Sequence, residues 1–476
     1  MKGEPQKQRS FQSENPSGPC VGGRTHGRRT REPIRRVRLR HAMTLHRFRE
    51  AQRRTTGVAA KNQYIIAMMA FLALVMLATG DPDMSSASDS SVARELFTLY
   101  EQFMQPDIQK RRFTQAQMFD WLTPLLQSSD IRSTDLGRSA EGRMIRLYSY
   151  GTGPIRVLLW SQMHGDESTA TMALIDMLRF FTRHSDHPVA RMIRERLTLL
   201  MIPMLNPDGA ERFTRRTAQN IDLNRDARSL VTPEAVILKS ACDAFAPAYG
   251  FNLHDQDRHY TVGTTRKPTV IALLAPPVNE EKTDNVVRLR AKRVAAVLRG
   301  ALEQFVPGHV AKWDDTFEPR AFGDNIQRRG TSTVLIESGW WADDPEKMFL
   351  RKLNCTGLLA TLDGIAHGRT DEVDAGVYES IPFNTKRIYD VIYRNATYQA
   401  VPDAPPVRVD VGVNVTGASA DTTVGKGQTA TVEDVGDLST FSGFTERDLE
   451  GKRVDLSGIV LETPFPAEEL NRIFGN

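Results

Sequence analysis

From Met144 to His367 the sequence alternates short, continuous apolar runs with longer segments whose apolar residues recur every three or four positions. No other feature limits the possible folds as strongly. The runs "MIRLYSY", "IRVLLW", "LTLLMIPML", "YGFNL", "TVIALLA" and "STVLIES" have strand length and mostly strand composition. The segments "STATMALIDMLRFFTR", "PEAVILKSACDAFA", "NVVRLRAKRVAAVLRGALEQF" and "PEKMFLRKLNCTGLLATLDGIAHG" carry the helical period, several with Ser, Thr or Pro at their start. A strand that is apolar on both sides must be covered on both sides. The pattern therefore predicts an α/β fold: a mixed, largely parallel sheet flanked by helices on both faces. In such sheets, ligands bind beyond the carboxyl ends of the strands.

The rest of the chain divides by texture. Residues 1–63 form a basic leader, with 16 Lys and Arg against 4 Glu up to Asn62. Residues 64–80 follow, with an uncharged apolar core of 15 residues from Tyr64 to Ala78. That is short for a membrane span, which needs roughly 20 residues, and suits a signal-peptide core with small residues after it. The expectation is export to the periplasm or the medium, with an uncleaved membrane anchor as the alternative. Residues 81–92 read as a linker, 93–370 as the catalytic domain with a helical lead-in over 93–126, and 371–476 as a small β-rich C-terminal domain, where "PVRVDVGVNVTG" alternates apolar and polar. The whole chain's charge of +4, less the leader's surplus of 12, leaves −8 for the remainder. The basic balance is thus local to the leader and gives no reason to expect nucleic-acid binding. Three cysteines make no disulfide framework. Cys242 and Cys355 fall in helical segments, where free thiols are the default and a bond between them is left open.

Several chemistry-bearing residues stand where apolar strands end. His164 and Glu167 follow "VLLW" in "MHGDE", His254 closes "FNLH", and Glu337 closes "STVLIE". Catalytic zinc takes three protein ligands and keeps a position for water. His164 and Glu167 suit the close pair, and His254 is the third candidate, with His259 in reserve. Glu337 is the candidate base, because a glutamate ending a Val-Leu-Ile strand is costly unless paired or used. The segment "NPDGAERFTRRTAQNIDLNRD" reads as a turn at "NPDG", followed by Arg215, Arg216, Asn224 and Arg225. Guanidinium groups grip carboxylates and stabilise oxyanions.

Taken together, "LGRSAEGRMI", "MHGDE", "NPDG", "IDLNRD" and "VLIESG", in this order over roughly residues 130–370, resemble the zinc metallocarboxypeptidase family of the carboxypeptidase A and B kind. The resemblance implies one zinc ion on His164, Glu167 and His254. It implies Asn224 and Arg225 on the substrate's terminal carboxylate and Glu337 as base and then acid. Arg215 matches the oxyanion-stabilising arginine by spacing, with Arg216 a near rival. The implied activity is hydrolysis of the C-terminal amide bond of a peptide with a free carboxylate, by a monomer.

One departure stands out. The family often carries a mobile tyrosine between the third ligand and the glutamate, yet "WDDTFEPRAFGDNIQRRG" has no tyrosine, Phe317 and Phe322 cannot donate a hydrogen bond, and Tyr260 lies early. Alternative expectations are an aspartoacylase-like zinc deacylase or amidase of acylamino acids, a carboxypeptidase for peptidoglycan peptides, and an inactive zinc-binding module.

Overall fold

The computed structural model describes residues 84–127, 130–416 and 427–475. The expectations for the leader and for residues 64–80 lie outside the described residues. Among the described residues no helix is long and apolar enough to cross a membrane.

The strands are β1 (Arg132–Arg138), β2 (Met144–Tyr150), β3 (Ile155–Ser161), β4 (Leu197–Ile202), β5 (Tyr249–Asp255), β6 (Tyr260–Val262), β7 (Ile271–Leu274), β8 (Val310–Lys312) and β9 (Ser332–Ser338). All but β6 join one eight-stranded sheet in the order β1-β2-β4-β3-β5-β9-β7-β8. Its centre, β4-β3-β5-β9, is parallel, and antiparallel pairings flank it. The expected mixed, largely parallel sheet is therefore present.

The pleat divides the strand residues between two cores. Val157, Leu159, Leu199 and Met201 face one side; Leu158, Trp160, Leu200 and Ile202 face the other. The helices are α1 (Met84–Leu99), α2 (Gln115–Leu122), α3 (Thr169–Arg183), α4 (Pro188–Arg196), α5 (Pro207–Arg212), α6 (Pro233–Phe245), α7 (Val286–Glu303), α8 (Phe322–Arg328) and α9 (Met348–His367). The first face is covered by α1, α3, α4, α7 and α9, the second by α6 and α8. Helix α9 is buried along nearly its whole length, which explains why its apolar residues are not confined to one stripe.

Two local expectations change, and the default of free thiols holds. The linker expected over 81–92 is helical from Met84 onward. Ala93 and Leu96 anchor the helix in the core, and extending a formed helix back through "MSSASDSSV" costs far less than nucleating one. "NPDG" is not an isolated turn but the start of α5. Asn206 Oδ1 caps it by accepting the Gly209 N–H at 2.9 Å, and Pro207 takes the first helical position. Within α5, Asp208 accepts the Ser139 hydroxyl at 2.7 Å and the Glu141 amide at 2.9 Å, which ties the β1–β2 turn to this helix. Cys242 and Cys355 are free thiols.

The β-rich C-terminal part contains a five-stranded sheet built from β11 (Ile388–Tyr398), β12 (Val407–Val415), β13 (Thr429–Gly436), β14 (Ser442–Asp448) and β15 (Phe465–Pro466). A preceding strand, β10 (Asn384–Lys386), pairs with β6 of the larger part. The buried carboxylate of Asp390 accepts His259 Nε2–H at 2.9 Å and Arg258 Nη2–H at 2.5 Å. This sheet is therefore latched to the loop just after β5.

A buried ion pair joins α3 to α9. Arg351 donates through Nε and Nη2 to the two oxygens of Asp176, both at 2.7 Å, and the Tyr100 hydroxyl donates to the same carboxylate at 2.6 Å. Removing one partner strands the other charge in the core. We expect Arg351→Ala to destabilise the chain by about 3–5 kcal/mol, read as a shift in the denaturant midpoint. A change under about 1 kcal/mol would contradict this account.

Candidate functional site

Strand β3 delivers the chain to a tight turn before α3. Gln162 takes a left-handed conformation (φ 51°), and Gly165 lies so close to α5 that a Cβ would come within 2.0 Å of the Gly209 backbone. Asn206 Nδ2 holds the Met163 carbonyl at 3.2 Å, and Gln162 Nε2 holds that of Gly165 at 2.8 Å. This turn fixes His164 and Glu167, both buried. His254 comes from the end of β5. Glu337 stands directly beside it on β9, since His254 and Glu337 are register partners.

His164 Nδ1 lies 2.7 Å from Glu167 Oε1, and His254 Nδ1 lies 2.7 Å from Glu167 Oε2. The two Nδ1 atoms are 3.2 Å apart. Ligand atoms of all three residues fall within 4.8 Å of one another. Four electron-rich atoms this close repel unless protons or a cation lie among them. Asp222 Oδ1 sits 3.1 Å from His164 Nε2, which favours the proton on that nitrogen and frees the Nδ1 lone pair. His254 Nε2 is buried without a protein partner. The donor set of two imidazoles and a carboxylate fits zinc.

The electrostatics follow from burial and crowding. Burial disfavours the Glu167 carboxylate, but His164 and His254 outweigh it and hold its pKa far below the usual range. Burial likewise opposes the charged form of His164, yet Glu167 and Asp222 raise its pKa, whereas in His254 burial prevails and lowers it. Burial, then the nearby Glu167 and Asp255 carboxylates, push Glu337 well above an ordinary glutamate. Among the described residues, nothing donates a hydrogen bond to its carboxylate.

Arg215 is held at its root by Asp222, through Nε at 3.1 Å and Nη2 at 3.0 Å. Its Nη1 lies 3.1 Å from Glu167 Oε1 and 3.2 Å from His164 Nδ1, where it partly offsets the cluster's negative charge. Arg216 instead donates to the Asn220 carbonyl of its own loop. Asn224 commits its Oδ1 to the Phe322 amide at 2.9 Å, so its NH2 group is what it can offer a ligand. Arg225 lies 3.4 Å from Glu318 and is partly exposed. Arg215, Asn224, Arg225, Glu337 and the three metal-site residues all line one cavity of about 430 Å³. His259, the reserve ligand, is elsewhere: it pairs with Asp257 at 2.6 Å and with Asp390.

Three contributors escaped the sequence reading. Asp222, inside the quoted "IDLNRD", orients both His164 and Arg215. Lys347 is buried at a left-handed position (φ 58°) before α9; it donates to the Ser338 carbonyl at 3.0 Å and pairs with Asp255 at 3.1 Å, tying together the ends of β5 and β9. Tyr260, dismissed as too early, lines the cavity from β6. Strand pairing with β10 brings it there, and spacing could not reveal that.

Residues 118–246 match the sequence model of the zinc carboxypeptidase family. Carboxypeptidase 2 of Trichophyton rubrum is 28% identical over 101 residues, covering 21% of this chain and 18% of the relative. Carboxypeptidase SOL1 of Arabidopsis thaliana is 38% identical over 65 residues, 13% of each chain. The chain thus spans only about a fifth of the length of the curated relatives it matches, or less, from 13% to 21%. A metallo-carboxypeptidase structure from Burkholderia cenocepacia superimposes with a TM-score of 0.44 at 19% identity, covering 54% of this chain and 70% of that one. The resemblance to zinc carboxypeptidases is therefore shown over the matched segment.

Asp222→Asn keeps a hydrogen-bonding group at His164 but removes the charge. Zinc affinity, measured by competition with a coloured chelator, is expected to fall roughly 10–100-fold. Unchanged affinity would mean that Asp222 does not orient the ligand.

Proposed function

We propose that this chain is a zinc-dependent carboxypeptidase, removing the last residue of peptides that end in a free carboxylate. The observation that carries the reading is the single cavity in which a zinc-type donor set, an unpaired buried glutamate and a guanidinium beside an amide donor meet. His164, Glu167 and His254 would hold one zinc ion. Zinc, when bound, supplies a Lewis acid for the substrate carbonyl and lowers the pKa of a water molecule.

The remaining work falls to the chain's own side chains. The Asn224 NH2 group and the Arg225 guanidinium supply donors that match the two oxygens of a terminal carboxylate. Their place in the cavity makes the chain end the part that fits. Glu337 takes the proton of the attacking water. Its raised pKa suits it to keep that proton and then pass it to the departing amine nitrogen. Arg215, braced by Asp222, presents Nη1 to the oxygen on which negative charge develops. Export, read from residues 64–80 alone, remains part of this proposal.

Glu337→Gln keeps the shape and removes the base. The variant is expected to bind zinc like the parent while peptide hydrolysis falls at least about 1000-fold. Substantial turnover by this variant would sink the assignment. Arg225→Ala is expected to raise KM for free-acid peptides by roughly ten- to a hundredfold while leaving amidated peptides little changed, since it removes a charge-assisted bond to the carboxylate. Equal effects on both substrate types would remove Arg225 from that role.

A further inference from the structure

Another cavity lies near the candidate site without sharing any lining residue with it. It holds about 320 Å³ and is walled by Ala227, Arg228, Pro319, Asn325, Arg328 and Arg329. Three guanidinium groups thus face one space, and among the described residues no carboxylate joins them in the wall. Like charges at short range repel unless something of opposite sign lies between them. Elsewhere the exposed arginines of this chain fold onto an acid. Arg320 grips Glu318 through Nε at 2.9 Å and Nη2 at 2.7 Å, and Arg143 and Arg212 both hold Glu141. Among the described residues, Arg329 is the one of the three that approaches a carboxylate, Asp243 at 3.7 Å, too far for a hydrogen bond.

The end of a helix favours cations, which accounts for Arg328 and Arg329 at the end of α8. It does not account for Arg228, which reaches the cavity from a different segment, at the close of "IDLNRDAR". Those two segments also build the candidate carboxylate site. The first carries Asn224 and Arg225. The second carries Phe322, whose amide donates to Asn224, and Glu318, which lies beside Arg225. The Ala227 amide donates to the Arg320 carbonyl at 3.0 Å and stitches the two segments together.

We propose that the cavity of Arg228, Arg328 and Arg329 is an oxyanion site that takes a phosphate group. Two guanidinium groups from the helix end and one from the neighbouring loop supply paired N–H donors to a tetrahedral anion. The anion cancels their repulsion and ties the loop to α8, which steadies Asn224 and Arg225. A free phosphate ion and the head group of an anionic lipid present the same chemistry. The effect on turnover rests on the carboxypeptidase reading; the binding does not.

The test uses the zinc-loaded chain at matched ionic strength. Calorimetry compares sodium phosphate with sodium chloride, and flotation compares phosphatidylglycerol vesicles with phosphatidylcholine vesicles. The parent is expected to bind phosphate and not chloride. A double variant, Arg228→Gln with Arg328→Gln, leaves Asn224, Arg225 and Arg329 in place. Its phosphate affinity is expected to fall at least about tenfold, with a melting temperature close to the parent's when phosphate is absent. Arg228→Lys with Arg328→Lys keeps the charges and is expected to retain part of the affinity. With a free-acid peptide, saturating phosphate is expected to lower KM about fivefold in the parent and to leave it unchanged in the Gln variant. Phosphate that merely occupied the carboxylate site would raise KM in both.

Phosphate affinity that survives in the Gln variant, or equal effects of phosphate and chloride, overturns the site. Bound phosphate with an unchanged or raised KM overturns its bracing role. Selective binding of phosphatidylglycerol vesicles, lost in the Gln variant, assigns the group to a lipid; binding of inorganic phosphate alone assigns it to a free ion. Peptide hydrolysis without any phosphate binding that the Gln variant loses defeats this site and leaves the carboxypeptidase reading intact. Phosphate binding lost in the Gln variant, with no peptide cut by the parent, defeats the hydrolytic reading and leaves the site intact.

Discussion

The site depends on the parallel register of β5 against β9. Pairing of His254 with Glu337 sets an imidazole beside a carboxylate at the carboxyl end of the sheet, and the same register puts Asn252 beside Leu335 one pleat below. These four residues line the cavity, while the alternating residues Phe251, Leu253, Val334 and Ile336 lie in the core on the other face. A slip of one residue would reverse every side chain of one strand. It would drive Glu337 into the aliphatic layer, where an unpaired carboxylate costs several kcal/mol. The hydrophobic core thus enforces the placement of the polar groups.

Around that register the chain gathers electron-rich atoms that stay together only with protons or a cation among them. Glu167 touches both imidazoles, and Arg215 leans its Nη1 toward the same oxygen. The charges are arranged in tiers. Asp222 steadies His164 and Arg215, and Lys347 steadies Asp255 and the Ser338 carbonyl beside Glu337. Each supporting group holds the atom behind a candidate functional group, so the reactive face stays open toward the cavity.

The C-terminal sheet also belongs to the rim of the site. Asp390 holds Arg258 and His259, and Phe444 packs on Trp340, with ring centroids 4.4 Å apart. Arg258 and Trp340 line a second cavity of about 550 Å³ that shares Glu167, Arg215 and Asp255 with the first. The β-rich region therefore shapes the approach to the site even though it contributes no candidate ligand.

The amino-acid order alone determined most of the strands and helices of the large sheet and pointed to a metal-type donor set. Continuous apolar runs between helical periods dictate a sheet covered on both faces, and His164, Glu167, His254 and Glu337 could be picked out because polar residues at strand ends have little other use. Strand order, register and the choice between neighbours were decided only in three dimensions. Arg215 and Arg216 are adjacent in sequence, but backbone direction sends one to Glu167 and the other to its own loop. His259 was the reserve ligand in sequence, and Asp390, 131 residues away, holds it instead. Tyr260 looked remote until β10 drew β6 to the cavity, and "NPDG" looked like a turn until Asp208 found the β1–β2 turn to bind. Local patterns report the free energy of burying a side chain, which depends on near neighbours in sequence. Which partner a charge meets depends on contacts between distant segments, and those exist only once the sheet has closed.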